Sequence, residues 1–183
     1  MSNRCKILIA GVGNELCSDD GIGVHAIREL EKHPIPGVTF ADLGTAVLHT
    51  MSFLEDADRV LVIDAARGGK PPGTIFRFDV SIHGPIPMMT SLHAMGLCEA
   101  ARVLLLGKPL PAMTVLGVEP EILTHGFRLS SRVQMALPAV VSMARKIAAS
   151  WISGDGAGGR PPQPEAAVAR TISTGQTSEA LMI

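Results

Sequence analysis

The segment Ile7-Leu8-Ile9-Ala10-Gly11-Val12-Gly13-Asn14-Glu15-Leu16-Cys17-Ser18-Asp19-Asp20-Gly21-Ile22-Gly23 constrains the fold more than any other part of the chain. The apolar run at 5–10 reads as a buried strand. The glycines after it let the backbone turn tightly. From Gly21 to His33 the pattern reads as a helix, with Gly23, Ile27 and Leu30 on one face and Arg28, Glu29, Glu31 and Lys32 polar. Strand, glycine turn and helix together open a βα unit, and such a turn usually cradles a phosphate. Here two adjacent aspartates, Asp19 and Asp20, stand where the phosphate would sit.

The pattern repeats along the chain. Pro34 and Pro36 stop the first helix, and Val38-Thr39-Phe40-Ala41 reads as a second strand ending at Asp42. Residues 46–57 suit a second helix. Arg59 to Ile63 is a β-branched apolar run, a central third strand ending at Asp64. Residues 73–79 read as an edge strand, 80–90 as a Pro/Gly-rich loop, and 92–106 as a helix apolar nearly all round. A last strand spans 113–118. A final helix spans 132–151, with Pro138 predicting a kink or a helix start. Alternating strands and helices imply parallel βαβ units. The expected fold is α/β, a three-layer α/β/α sandwich around a mostly parallel, twisted sheet of about five strands. It occupies residues 1–152, and the Gly/Pro-rich stretch 153–183 reads as a flexible C-terminal tail.

Composition narrows the partners. The net charge is −1 and aromatics are 3%, so neither the basic surface nor the stacking platform of a nucleic-acid binder is present. No segment reaches membrane-spanning length, and the first apolar run is too short for a signal-peptide core. Three scattered cysteines, Cys5, Cys17 and Cys98, form no Cys-x-x-Cys pair. A soluble, reduced, cytoplasmic protein without nucleic-acid or membrane partners is the expectation.

In open α/β sheets the site lies beyond the carboxyl ends of the strands. Asp20 follows strand one, and Asp42 and Asp64 end strands two and three, so three acids are expected on one rim. A dinucleotide does not fit. The third fingerprint glycine is replaced by Leu16, and Asp19 and Asp20 would repel a pyrophosphate by several kcal/mol at low effective dielectric. Converging carboxylates need a cation or shared protons to coexist. His93, in Ser91-Leu92-His93 at the start of a helix, completes an oxygen–nitrogen set with Asp20 and Asp64, suited to a borderline metal such as nickel or zinc. Each residue also has a plainer reading: Asp19 or Asp20 as a helix N-cap, Asp64 as a loop-forming acid, His93 as a satisfied polar residue. Cys17 and Ser91 are weak nucleophile candidates, with no Gly-x-Ser-x-Gly elbow present. Met88, Met89 and Met95 flank the same region, as packing or as a soft surface for a protein substrate.

Four ordered motifs resemble one known family. They are GVGNELCSDDGIGVHAIREL, Val62-Ile63-Asp64-Ala65, Ser91-Leu92-His93-Ala94-Met95-Gly96-Leu97, and Leu116-Gly117-Val118-Glu119-Pro120-Glu121 followed by a proline-containing helix. Across residues 5–150 the chain resembles the nickel–iron hydrogenase maturation endopeptidases. The resemblance implies an endopeptidase that removes a short C-terminal peptide from a nickel-loaded hydrogenase large-subunit precursor. It carries the metal-contacting and catalytic roles onto Asp20, Asp64 and His93. Three chemistries stay open: the metal could polarise the scissile carbonyl, the metal could only position it, or an aspartate could serve as base for water. Glu15, although nearer the glycines, is not expected to be the ligand. The nickel is expected to arrive with the substrate, and zinc or cadmium to substitute in vitro. Where the family commonly has Asp-Gly-Gly-Thr, this chain has Asp42-Leu43-Gly44-Thr45. Leu43 is costly if that position needs a positive φ. Asp42 and Thr45 are expected to line the substrate groove. Two rivals on related folds are a non-enzymatic nickel-recognition or chaperone module and a different endopeptidase, such as a spore-protein protease.

Overall fold

The computed structural model describes residues 5–45, 51–80, 93, 96–97 and 111–154. Five strands form one sheet: β1 (Ile7–Val12), β2 (Val38–Gly44), β3 (Arg59–Ala65), β4 (Ile75–Val80) and β5 (Ala112–Val118). Their order is β2-β1-β3-β5-β4. The first four in that order run parallel, and β4 pairs antiparallel with β5 at one edge. All six residues of β1 are buried, as are the last six of β3 and of β5. Strands covered on both faces have no use for alternation, which is why they read as continuous apolar runs. Edge strand β2 mixes exposed and buried positions, and so does β4.

The helices are α1 (Ile22–Glu31), α2 (Met51–Glu55) and α3 (Ser131–Ser153). One face of the sheet presents Ile7, Ile9, Leu61, Ile63 and Leu116 to α1 and α3, packed with Ile27, Leu30, Val133, Val140 and Ala144. The other face presents Leu8, Ala10, Val60, Val62 and Val115, packed with Leu54 of α2 and with Leu97. Alternate residues of each central strand therefore feed opposite layers, and the result is the expected three-layer sandwich.

Several boundaries differ from the sequence expectation. The turn before α1 is a separate 3-10 turn, Ser18–Gly21, so Asp19 and Asp20 precede the α-helix rather than begin it. Asp42 and Asp64 lie inside β2 and β3, just before their ends. Helix α3 begins at Ser131 and runs through Pro138, so the proline does not start the helix. Pro138 is on the exposed face, where water can satisfy the carbonyl four residues earlier. The tail from 155, residues 46–50 at the front of the second predicted helix, the loop at 81–90 and most of the helix at 92–106 lie outside the described residues, as do Met88, Met89, Ser91, Met95 and Cys98.

Candidate active site

The site is built where β1 and β3 end. Gly13 follows β1 with φ +119, and its N–H donates to the Gly44 carbonyl at the end of β2 (2.9 Å). A Cβ on Gly13 would overlap the carbonyl oxygen of Asp20 and would reach to 3.5 Å from Asp64 Oδ1. Glycine there lets the 3-10 turn fold back over the strand ends. Gly23 does the same for α1: a Cβ would collide with the carbonyl oxygens of Val12 and Ile63. The first loop is thus pressed against the end of β3, where Asp64 sits.

Asp20, Asp64 and His93 come together. One ligand atom from each lies within 4.8 Å of the other two. His93 Nδ1 is 3.6 Å from Asp64 Oδ1 and 3.8 Å from Asp20 Oδ1. The Asp64 side chain is fully buried, while Asp20 and His93 are 18% and 28% exposed, so solvent reaches the cluster from one side. Backbone donors aim the carboxylates. The Asn14 N–H donates to Asp20 Oδ2 (2.8 Å), and the Ala65 N–H to Asp64 Oδ1 (2.8 Å). The His93 pKa is raised above its usual 6.5. The Asp64 carboxylate beside the ring is the chief cause, burial opposes it, and the charges on Asp64 and Asp20 add to it. At 3.6–3.8 Å the contacts are ion pairs rather than short hydrogen bonds. Once His93 gives up its proton, its ring nitrogen and the two carboxylates form one set of candidate donors. Two carboxylate oxygens and one imidazole nitrogen suit a borderline divalent ion, and three protein ligands leave positions open for substrate.

The other candidates fall elsewhere. Glu15 forms a two-pronged ion pair with Arg28, one arm at 2.7 Å, and stands outside the cluster. Asp42 is also outside it. Its Oδ2 is 3.9 Å from Arg28 Nη2, and its Oδ1 accepts the Gly44 N–H (3.1 Å). Asp42 thus stands at the carboxyl end of β2 on the same rim but outside the cluster, because β1 separates β2 from β3. Asp42 and Thr45, with Gly13, Asn14, Glu15 and Leu16, line an open groove of about 200 Å³ beside the cluster. Leu43 raises no backbone difficulty. The positive φ belongs to Gly44 (+49), and the Leu43 side chain is buried in the core. Cys17 accepts a hydrogen bond from Asn14 Nδ2 (3.4 Å), as a loop residue.

Asp19 has a task the sequence does not reveal. It is fully buried, and its carboxylate accepts backbone N–H groups from Ser130 (2.6 Å), Glu121 (2.8 Å) and Ile122 (2.8 Å). Neither Asp19 nor Asp20 is an N-cap, since no residue caps the 3-10 turn or α1 through its side chain. Glu119 is likewise structural, its Oε2 accepting the N–H groups of Gly68 (2.7 Å) and Lys70 (3.1 Å). The only sequence hint of these ties was the acidic character of positions whose neighbours turn sharply.

With this geometry in hand, the comparisons with known proteins are decisive. The family model described as hydrogenase maturation protease matches residues 24–147. The chain belongs to the hydrogenase maturation protease family. It is 32% identical over 155 residues to the hydrogenase expression/formation protein HupD of Bradyrhizobium diazoefficiens, covering 80% of this chain and 79% of the relative. It is 31% identical over 141 residues to the hydrogenase 2 maturation protease of Escherichia coli, covering 74% and 86%. Among solved structures, the hydrogenase maturating endopeptidase HybD from E. coli superposes with a TM-score of 0.67 at 28% identity, covering 81% of this chain and 94% of that one. As a hydrogenase maturation protease the protein is a hydrolase of peptide bonds. No helix among the described residues is long and apolar enough to cross a membrane.

Proposed function

We propose that this protease removes the C-terminal peptide of a nickel-loaded nickel–iron hydrogenase large-subunit precursor, and that Asp20, Asp64 and His93 read the precursor's nickel. The observation that carries the reading is the convergence of those three groups within 4.8 Å of one another. The metal belongs to the substrate. Three ligands from the enzyme would dock it and bring the adjacent scissile bond to the site, so that binding supplies orientation. Zinc or cadmium can take the same donor set in vitro. Asp20 is the carboxylate that solvent reaches. We assign it the proton of the attacking water, whose oxygen adds to the scissile carbonyl carbon before the C–N bond breaks and the amine leaves protonated. Asp64, fully buried, holds the imidazole in place. Asp42 and Thr45 in the groove wall face the chain that flanks the cut. We place the reaction in the cytoplasm.

The test is intact-mass analysis of a precursor, nickel-loaded and nickel-free, incubated with wild-type protein and with Asp20→Asn, Asp64→Asn and His93→Ala. The wild type should shorten only the nickel-loaded precursor, and each variant should stay folded and leave it uncut. Normal processing by all three variants contradicts the reading. Equal cutting of the nickel-free precursor contradicts its nickel requirement.

A further inference from the structure

The loop after β5 is fastened to the loop that carries Asp20. The Gly126 N–H donates to the Leu16 carbonyl (2.9 Å), the Ser18 N–H to the Gly126 carbonyl (2.9 Å), and the Asp19 N–H to the Ile122 carbonyl (3.0 Å). The Ser18 hydroxyl donates to the Thr124 carbonyl (3.0 Å). Cys17 and Gly126 pair as an isolated parallel bridge. The three N–H bonds to the buried Asp19 carboxylate complete the fastening. Ser18 holds φ +53, a conformation a non-glycine residue keeps only when its surroundings enforce it. The two loops are therefore one rigid unit, and Asp20 is part of it.

This rigid unit exposes apolar side chains. Phe127 is 69% exposed, Leu16 50% and Ile122 42%. Phe127 is the most exposed aromatic among the described residues, in a chain with only five phenylalanines and no tyrosine. Its ring is braced edge-on by His125, with centroids 5.3 Å apart. Glu121 and Arg132, 3.9 Å apart, supply polar groups beside the same loop. Leu16 also lines the groove at the site. Leu16, whose carbonyl is bonded by the residue before Phe127, thus links the exposed apolar residues of this unit to the groove. An apolar centre with an aromatic anchor and charge at the rim is the anatomy of a protein-recognition surface. A rigid one loses little freedom on binding.

We propose that the face made by Leu16, Ile122 and Phe127 docks an apolar surface of the folded protein substrate, beside the segment that enters the site. The inference rests on the proposed processing of a hydrogenase precursor. It places part of the enzyme's selectivity outside the metal cluster, in a rigid wall that also carries Asp20. A substrate that seats on the wall is thereby in register with the three ligands.

The test compares wild-type protein, the double variant Phe127→Ser/Ile122→Ser, and Phe53→Ser as a control at another exposed aromatic, on α2. Cleavage of the nickel-loaded precursor is followed at steady state. The double variant should raise KM about tenfold or more while kcat stays within about twofold. Phe53→Ser should change neither. A KM for the double variant within twofold of wild type overturns the docking surface. Binding of the precursor to Asp64→Asn protein, with and without the double variant, reads the same surface without turnover. Loss of binding in the double variant supports the proposal, and unchanged binding overturns it. If wild-type protein binds the precursor through Phe127 and never cuts it, the processing role fails and the docking surface stands.

Discussion

Asp19 and Asp20 share one 3-10 turn, yet only Asp20 comes within 4 Å of His93; Asp19 is turned inward to three backbone donors. Ser18, immediately before them, holds a positive φ (+53), and each carboxylate is fixed by its own backbone donors. On the site side, the proton on His93 and a metal ion compete for one lone pair. The His93 pKa lies above 6.5, held there chiefly by Asp64. Affinity for a divalent ion should therefore fall as the pH drops through that raised value, and titration calorimetry across the range will read it. His93→Ala should lower affinity about a hundredfold or more and flatten the pH dependence. In the metal-free protein the sign reverses. Protonated His93 gains stability from the two carboxylates, fully present below the unfolded-state pKa of about 6.5 and lost as the pH rises through the folded value. The difference in Tm between wild type and His93→Ala should shrink from about pH 6 to about pH 9. A constant difference contradicts the ion-pair account.

At the scale of elements, the loops after β1 and β5 matter as much as the strands. Asp19 joins them, and its charge also faces the N-terminus of α3 at Ser130, where the helix dipole favours an anion. Asp19→Ala leaves three backbone N–H groups without their acceptor. The cost should be about 3 kcal/mol or more, read as a lower denaturant midpoint with an unchanged slope. Asp20→Asn, partly exposed and retaining an acceptor oxygen, should cost less than about 1 kcal/mol. Equal costs would mean that the buried tie is not what holds the loops. Here the sequence was legible only in part. The apolar run ending in Asp64 announced β3, and the apolar run before the glycine turn announced β1 and the loop that carries Asp20, because strands buried on both faces cannot hide a carboxylate except at their ends. Which of two adjacent aspartates turns inward depends on turn geometry that no periodicity encodes. Asp42 was expected on the same rim. It lies near the end of the strand on the far side of β1 from Asp64, lines the groove and pairs with Arg28. Pro138 suggested a kink or a helix start; it is not the start, and α3 passes through it with the ring on the solvent side.

For the whole molecule, the parallel strand order turns distant sequence positions into neighbours. Residues 20, 64 and 93 arrive at one rim, while the opposite end of β3 is closed by Arg59 over the Trp151 ring at 5.4 Å. The five-stranded mostly parallel sheet and its layers followed from pattern alone, since alternation of strand and helix leaves few other topologies. The antiparallel edge strand β4 is the one element whose direction the pattern does not set. The central claim is that this convergence makes a single metal-reading centre. Anomalous diffraction from crystals soaked with zinc or cadmium tests it directly. The account predicts a peak within about 2.0–2.4 Å of donor atoms from Asp20, Asp64 and His93 together. A principal peak at Glu15 and Asp42, with density between the three residues empty of metal, would contradict it.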